Sequence, residues 1–124
     1  MRTTARNATI ALSLAALFSG ASLIPQAASA ASNSDMVAKG KEIAFNRKKG
    51  NCLACHMIPG GELPGNIGPP LVAMKARFPD RQKLFDQIYD ATKRNPLTRM
   101  PPFGKHKIIS NAEIDAIIDF LYTL

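Results

Sequence analysis

Two cysteines and two histidines are all that this chain of 124 residues has of either type. With so few thiols, no network of disulfides can staple the fold. A structural zinc site is poorly served as well. Cys52 and Cys55 would need two more ligands, and only His56 and His106 remain, at no familiar finger spacing. No stretch alternates apolar and polar residues as a strand would, so a thioredoxin-like sheet around the cysteines finds no support. Long apolar runs are missing too. Ile10 to Phe18 is a short one, followed by Ser19, Gly20, Ser22 and Pro25, and it falls short of a membrane span. Acidic residues are scarce, 9 against 16 Lys and Arg. Beyond the N-terminal segment there is no internal repeat and no low-complexity tract.

In their place stands Cys52-Leu-Ala-Cys55-His56, a C-x-x-C-H pentapeptide that uses both cysteines. Thiols at i and i+3 can add to the two vinyl groups of a haem, and the imidazole that follows reaches the iron from the same side. That chemistry needs two sulfurs one turn apart and a ligand directly after the second. A redox disulfide and half of a zinc site are the competing uses of a C-x-x-C pair. The histidine in the next position favours one covalently attached haem c.

The N-terminus has the form of a secretory leader. Arg2 and Arg6 supply a positive start, the Ile10 to Phe18 run an apolar middle, and Ala28-Ser29-Ala30 an A-x-A cleavage site. Retention as an uncleaved anchor is the alternative. Cleavage after Ala30 implies a signal peptide over residues 1–30 and a single domain over 31–124, delivered to the periplasm. Without Arg2 and Arg6, 14 basic residues face 9 acidic ones, a formal charge of +5. Such a surface suits nucleic acid, anionic lipid or an acidic protein. An exported haem protein meets no nucleic acid in its compartment, so protein docking is favoured and no stable membrane insertion is expected.

The periodicity predicts three helices separated by Gly/Pro-rich loops. The first covers about Asp35 to Lys49, with Ser34 or Asp35 as its cap and Gly50 as its stop; Val37, Gly40, Ile43 and Ala44 share one face. The second covers about Asp80 to Arg94, with Leu84, Phe85, Ile88 and Ala91 inward. The third follows the capping box Ser110-Asn-Ala-Glu113 and carries Ile114, Ile117, Ile118 and Leu121 at helical spacing. The loops Pro59 to Leu71 and Asn95 to Lys107 are expected to line the haem. The fold class is therefore all-α, three main helices wrapped around one cofactor.

His56 covers one face of the iron, and the other face needs a ligand from far along the chain. Met100 is the favoured candidate, in Thr98-Arg99-Met100-Pro101-Pro102-Phe103-Gly104, where two prolines stiffen the backbone. Filling the core is the bland alternative for a methionine. His106 is the rival ligand; Met57 follows His56 too closely, Met36 belongs to the first helix, and Met74 comes soon after the haem motif. In Gly68-Pro69-Pro70-Leu71 the Pro69 carbonyl is placed to bind the second ring nitrogen of His56, with a plain turn as the alternative reading. Arg47-Lys48-Lys49 either complements a helix C-terminus and stays solvated or steers an acidic partner.

These residues resemble the small class I c-type cytochromes: a glycine-bearing helix, C-x-x-C-H, a G-P-x-L segment, a methionine loop and an aromatic C-terminal helix. Lys49 to His56, Gly65 to Leu71, Met100 to Gly104, the Arg77-Phe78-Pro79-Asp80 step and the Phe120-Leu121-Tyr122 ending are similar to the SoxX family. SoxX is the monohaem subunit of the SoxAX cytochrome of bacterial sulfur oxidation. The resemblance implies a binding set of Cys52, Cys55, His56, Pro69, Leu71 and Met100, with His56 and Met100 on the metal and no catalytic residue. It also implies that Gly40 and Phe120 mark the crossing of the first and last helices. By the same resemblance the chain would pair with a SoxA subunit, act on the SoxYZ carrier through that complex, and pass electrons to a downstream cytochrome c. The activity implied for the complex is that of an L-cysteine S-thiosulfotransferase, in which this chain would relay electrons without being catalytic alone.

Overall fold

A computed structural model describes the backbone over residues 27–124 and the side chains from residue 33 onward. The expected leader lies outside the described residues, except that the backbone of its last four positions opens the first helix. Four α-helices follow in order: α1 (Ala27–Phe45), α2 (Met74–Arg77), α3 (Arg81–Tyr89) and α4 (Asn111–Leu121). Tight 3₁₀ turns occupy Cys52–Ala54 and Ala91–Lys93. Among the described residues there is no strand, and no helix is long and apolar enough to cross a membrane. The all-α expectation holds, with the short α2 as an addition that periodicity did not reveal.

The helix ends shift for local reasons. α1 starts at Ala27 rather than near Asp35, along the alanine-rich stretch that favours helix. It stops at Phe45 rather than Lys49. There the Asn46 side chain accepts the Lys48 amide at 2.9 Å and the Asn46 carbonyl accepts the Asn51 amide at 3.0 Å, which bends the chain toward Cys52. α3 stops at Tyr89 because the Asp90 carboxylate accepts the Thr92 amide and caps the next turn. At its start Asp80 caps Gln82 as an ordinary N-cap. The α4 capping box is present in both directions, Ser110 to the Glu113 amide and Glu113 back to the Ser110 amide.

α1 and α4 form the largest contact of the fold, and Gly40 is the reason they meet so closely. A Cβ built there would lie 1.9 Å from the Ala116 carbonyl oxygen, backbone that has nowhere to go. Beside this crossing Phe45 and Phe120 pack edge to face, centroids 5.8 Å apart at 88°. Ile114, Ile117 and Ile118 are fully enclosed, each contributing about 1.5–3 kcal/mol by burial. α3 lies against the other side of α4, where Arg81 bonds Asp119 at 2.6 Å and Asp115 at 3.1 Å. The Tyr122 hydroxyl donates to the Phe78 carbonyl at 2.7 Å, fixing the chain between α2 and α3 to the end of α4. The helices thus form a frame, and the loops between them enclose a cavity.

Candidate functional site

The C-x-x-C-H segment is held by a single tight turn. Asn51 adopts a left-handed conformation, φ 47°, and its carbonyl accepts the Ala54 amide at 3.0 Å. The Cys52 carbonyl then accepts the amides of both Cys55 and His56, at 3.2 and 2.9 Å. Curling of this kind presents Cys52, Cys55 and His56 to the same wall of a cavity of about 570 Å³. No disulfide joins the two cysteines, and burial pushes the Cys52 thiol up to about 11. That direction is opposite to the depressed pKa of a thioredoxin-type attacking cysteine. Among the described residues no group of three or more His, Cys, Asp or Glu side chains could hold a metal ion.

The loop after the turn fits itself to the histidine. The Gly68 amide donates to the Cys55 carbonyl at 2.8 Å, and a Cβ at Gly68 would come within 2.3 Å of His56 Cε1. Only glycine lets the chain lie that close to the ring. His56 Nδ1 then stands 2.7 Å from the Pro69 carbonyl oxygen. A carbonyl can only accept, so Nδ1 carries the proton and Nε2 keeps a free lone pair. The Leu71 amide donates to the Met57 carbonyl at 2.8 Å and sets the Leu71 side chain on the cavity wall.

Met100 comes to the cavity from the loop between the Ala91–Lys93 turn and α4, its amide held by the Thr98 hydroxyl at 3.1 Å. Its sulfur has a neighbour that sequence reasoning gave no hint of: Gln87 Nε2 of α3, 3.8 Å away. All six residues of the expected binding set therefore line one space. His106 does not; it is exposed and absent from the wall. Met74 does line it, 2% exposed, with its sulfur accepting from Arg77 Nη1 at 3.5 Å. The first residue of α2 thus sits on the wall, close as it is in sequence to the haem motif.

The mouth combines charge with apolar surface. Arg47, Lys48 and Arg99 border the cavity, as do Ile67, 63% exposed, and Ile108, 43% exposed. Lys49 is committed elsewhere, paired with Glu113 at the start of α4. Lys49 and the Ser110 amide hold the Glu113 carboxyl at about 2.

The space suits a haem c on its own terms. It has the volume of a small-molecule site, walls of Leu71, Leu84, Ile88, Ile117 and Leu121, two thiols on one side and thioethers elsewhere. Cys52 and Cys55 would hold the group covalently, and His56 Nε2 and the Met100 sulfur are the donors suited to its iron.

Residues 35–121, well over half of the chain, match the family described as cytochrome c oxidase, cbb3-type, subunit III. An uncharacterised lipoprotein of Aquifex aeolicus is 36% identical over 76 residues, which cover 60% of this chain. The same stretch covers 37% of that relative, so the chain corresponds to little more than a third of its length.

Proposed function

This chain belongs to the family of cbb3-type cytochrome c oxidase subunit III, a family of c-type cytochrome domains that carry electrons on haem, and on that footing we propose that it is the relay subunit of a thiosulfate-oxidising SoxAX complex in the periplasm. The observation that carries the relay is the pairing around the cavity. His56 is held through Nδ1 by Pro69, and Met100 is held on the wall by Thr98 and Gln87. A haem c bound there would supply a one-electron couple, and His56 and Met100 are the residues that would hold its iron. The chain's own residues fix the donors and exclude water with Leu71, Ile88 and Ile117, and thioether bonds to the group would leave Cys52 and Cys55 no thiol for sulfur exchange. A thioether donor favours the reduced state, which suits an electron acceptor.

The assignment to SoxAX rests on the likeness of Lys49 to His56, Gly65 to Leu71 and Met100 to Gly104 to SoxX. It gains support from Ile67 and Ile108, apolar side chains left open beside the cavity, as a surface made to be covered by a SoxA subunit would have them. Joining thiosulfate to a cysteine thiol of SoxYZ forms one S–S bond and releases a proton and two electrons. Those electrons leave through this chain one at a time to a downstream cytochrome c. Export agrees with the leader-like N-terminus and with the similarity to the Aquifex lipoprotein. The second reading is a free-standing periplasmic carrier, favoured by the cations Arg47, Lys48 and Arg99 at the mouth, which suit brief docking to an acidic protein.

Co-purification from native periplasm, followed by thiosulfate oxidation with the carrier protein, separates them. A partner-bound chain whose haem is reduced by thiosulfate in the reconstituted mixture is the expected outcome. A chain that runs alone and is never reduced by thiosulfate would leave the carrier reading standing.

A further inference from the structure

Residues 68 to 71 are fastened at every position. Gly68 donates to Cys55, Pro69 accepts from His56, and Leu71 donates to Met57, at 2.7–2.8 Å. All three bonds return to the segment 55–57, which the Cys52 carbonyl holds through the Cys55 and His56 amides. Pro69 and Pro70 have no amide hydrogens, so their carbonyls are their only hydrogen-bonding handles. Pro69 spends its carbonyl on His56. The Pro70 carbonyl accepts from Arg77 Nη1 at 2.6 Å, and this is the bond that leads away to a helix.

Arg77 closes α2, and the same Nη1 lies 3.5 Å from both the Val72 carbonyl oxygen and the Met74 sulfur. One guanidinium nitrogen therefore gathers the loop, the turn into α2 and a buried cavity methionine. Arg77 itself borders the cavity. The strongest of these contacts, at Pro70, is one peptide bond from the carbonyl that orients His56.

We infer that Arg77 is a positioning residue for His56: it braces the Pro69-Pro70 segment against α2 and so keeps the Pro69 carbonyl on Nδ1. The inference rests on the reading of His56 as a ligand of the iron. A brace of this kind limits how often the ring turns away from Pro69 and leaves Nδ1–H open to solvent. Its charge adds a second effect. The oxidised centre carries one more positive charge than the reduced one, so a cation on the cavity wall disfavours oxidation.

Hydrogen exchange of the His56 Nδ1–H in the reduced, haem-loaded protein tests it, with the Ile117 and Ile118 amides as a measure of global opening. In Arg77→Met the ring proton is expected to exchange at least tenfold faster while the two core amides are unchanged, and the reduction potential falls. Arg77→Lys restores part of the protection, since one ammonium still reaches a carbonyl. Should Arg77→Met fail to fold, Arg77→Lys read against the native chain applies the same criterion. Ring exchange equal to the native rate, or acceleration shared by Ile117 and Ile118, overturns the brace. A native His56 whose ring resonances lack the displacement a haem imposes on its ligand overturns both the brace and the relay reading beneath it.

Discussion

Two methionine sulfurs, Met74 and Met100, face one cavity, and each already has a donor: Arg77 on the first, Gln87 on the second. The relay reading gives the iron to Met100. Met100→Ala should therefore remove the weak long-wavelength sulfur–iron absorption of the oxidised protein, and Met74→Leu should leave it in place. Gln87 tunes the same sulfur. An N–H on one lone pair draws density from the other, so Gln87→Leu strengthens the donor toward oxidised iron and lowers the potential in a redox titration. Legibility at this scale follows how local the chemistry is. Cys52, Cys55 and His56 could be read because their partnership is written in five consecutive residues. Pro69 could be read because a histidine ligand needs an acceptor and the adjoining prolines offered stiff ones. Met74 was set aside as a ligand on its distance along the chain, and its place on the cavity wall was not foreseen because the four-residue helix that carries it has too few residues to show a period. Gln87 left no trace, since a lone amide on a helix face has no pattern to betray it.

Among the elements, the start of α4 was legible to the residue because its capping box and its isoleucines at helical spacing say the same thing. The ends of α1 and α3 were misjudged where Asn46 and Asp90 use their side chains on nearby amides, a competition that propensity does not weigh. The crossing of α1 with α4 depends on a missing side chain. Gly40→Ala would press a methyl into the Ala116 backbone, and relief requires the helices to part. A loss of about 1–3 kcal/mol is expected for such overpacking. In a domain of this size each kcal/mol lowers the melting temperature by about 4–8 °C. Calorimetry on the haem-loaded variant measures it; a melting temperature equal to the parent's would mean that the crossing has slack.

For the molecule as a whole, acid is the revealing perturbation. The Glu113 carboxyl is held at about 2 against an ordinary 4.5, chiefly by Lys49, so ionisation of this group favours the folded state. Its contribution is complete above about pH 4.5 and disappears as pH falls toward 2. Asp90 acts in the same sense, held low by the Thr92 hydroxyl and by Lys105. Glu113→Gln should flatten the fall in stability over that interval while changing the neutral-pH spectrum little, as acid titrations followed by circular dichroism and haem absorbance would record. The helices that cross at Gly40 also impose an order in time. One precedes the C-x-x-C-H segment and the other follows the methionine loop, so the frame cannot close before α4 has been made. During that interval Cys52 and Cys55 ride on an open chain with both thiols within reach of whatever joins them to haem.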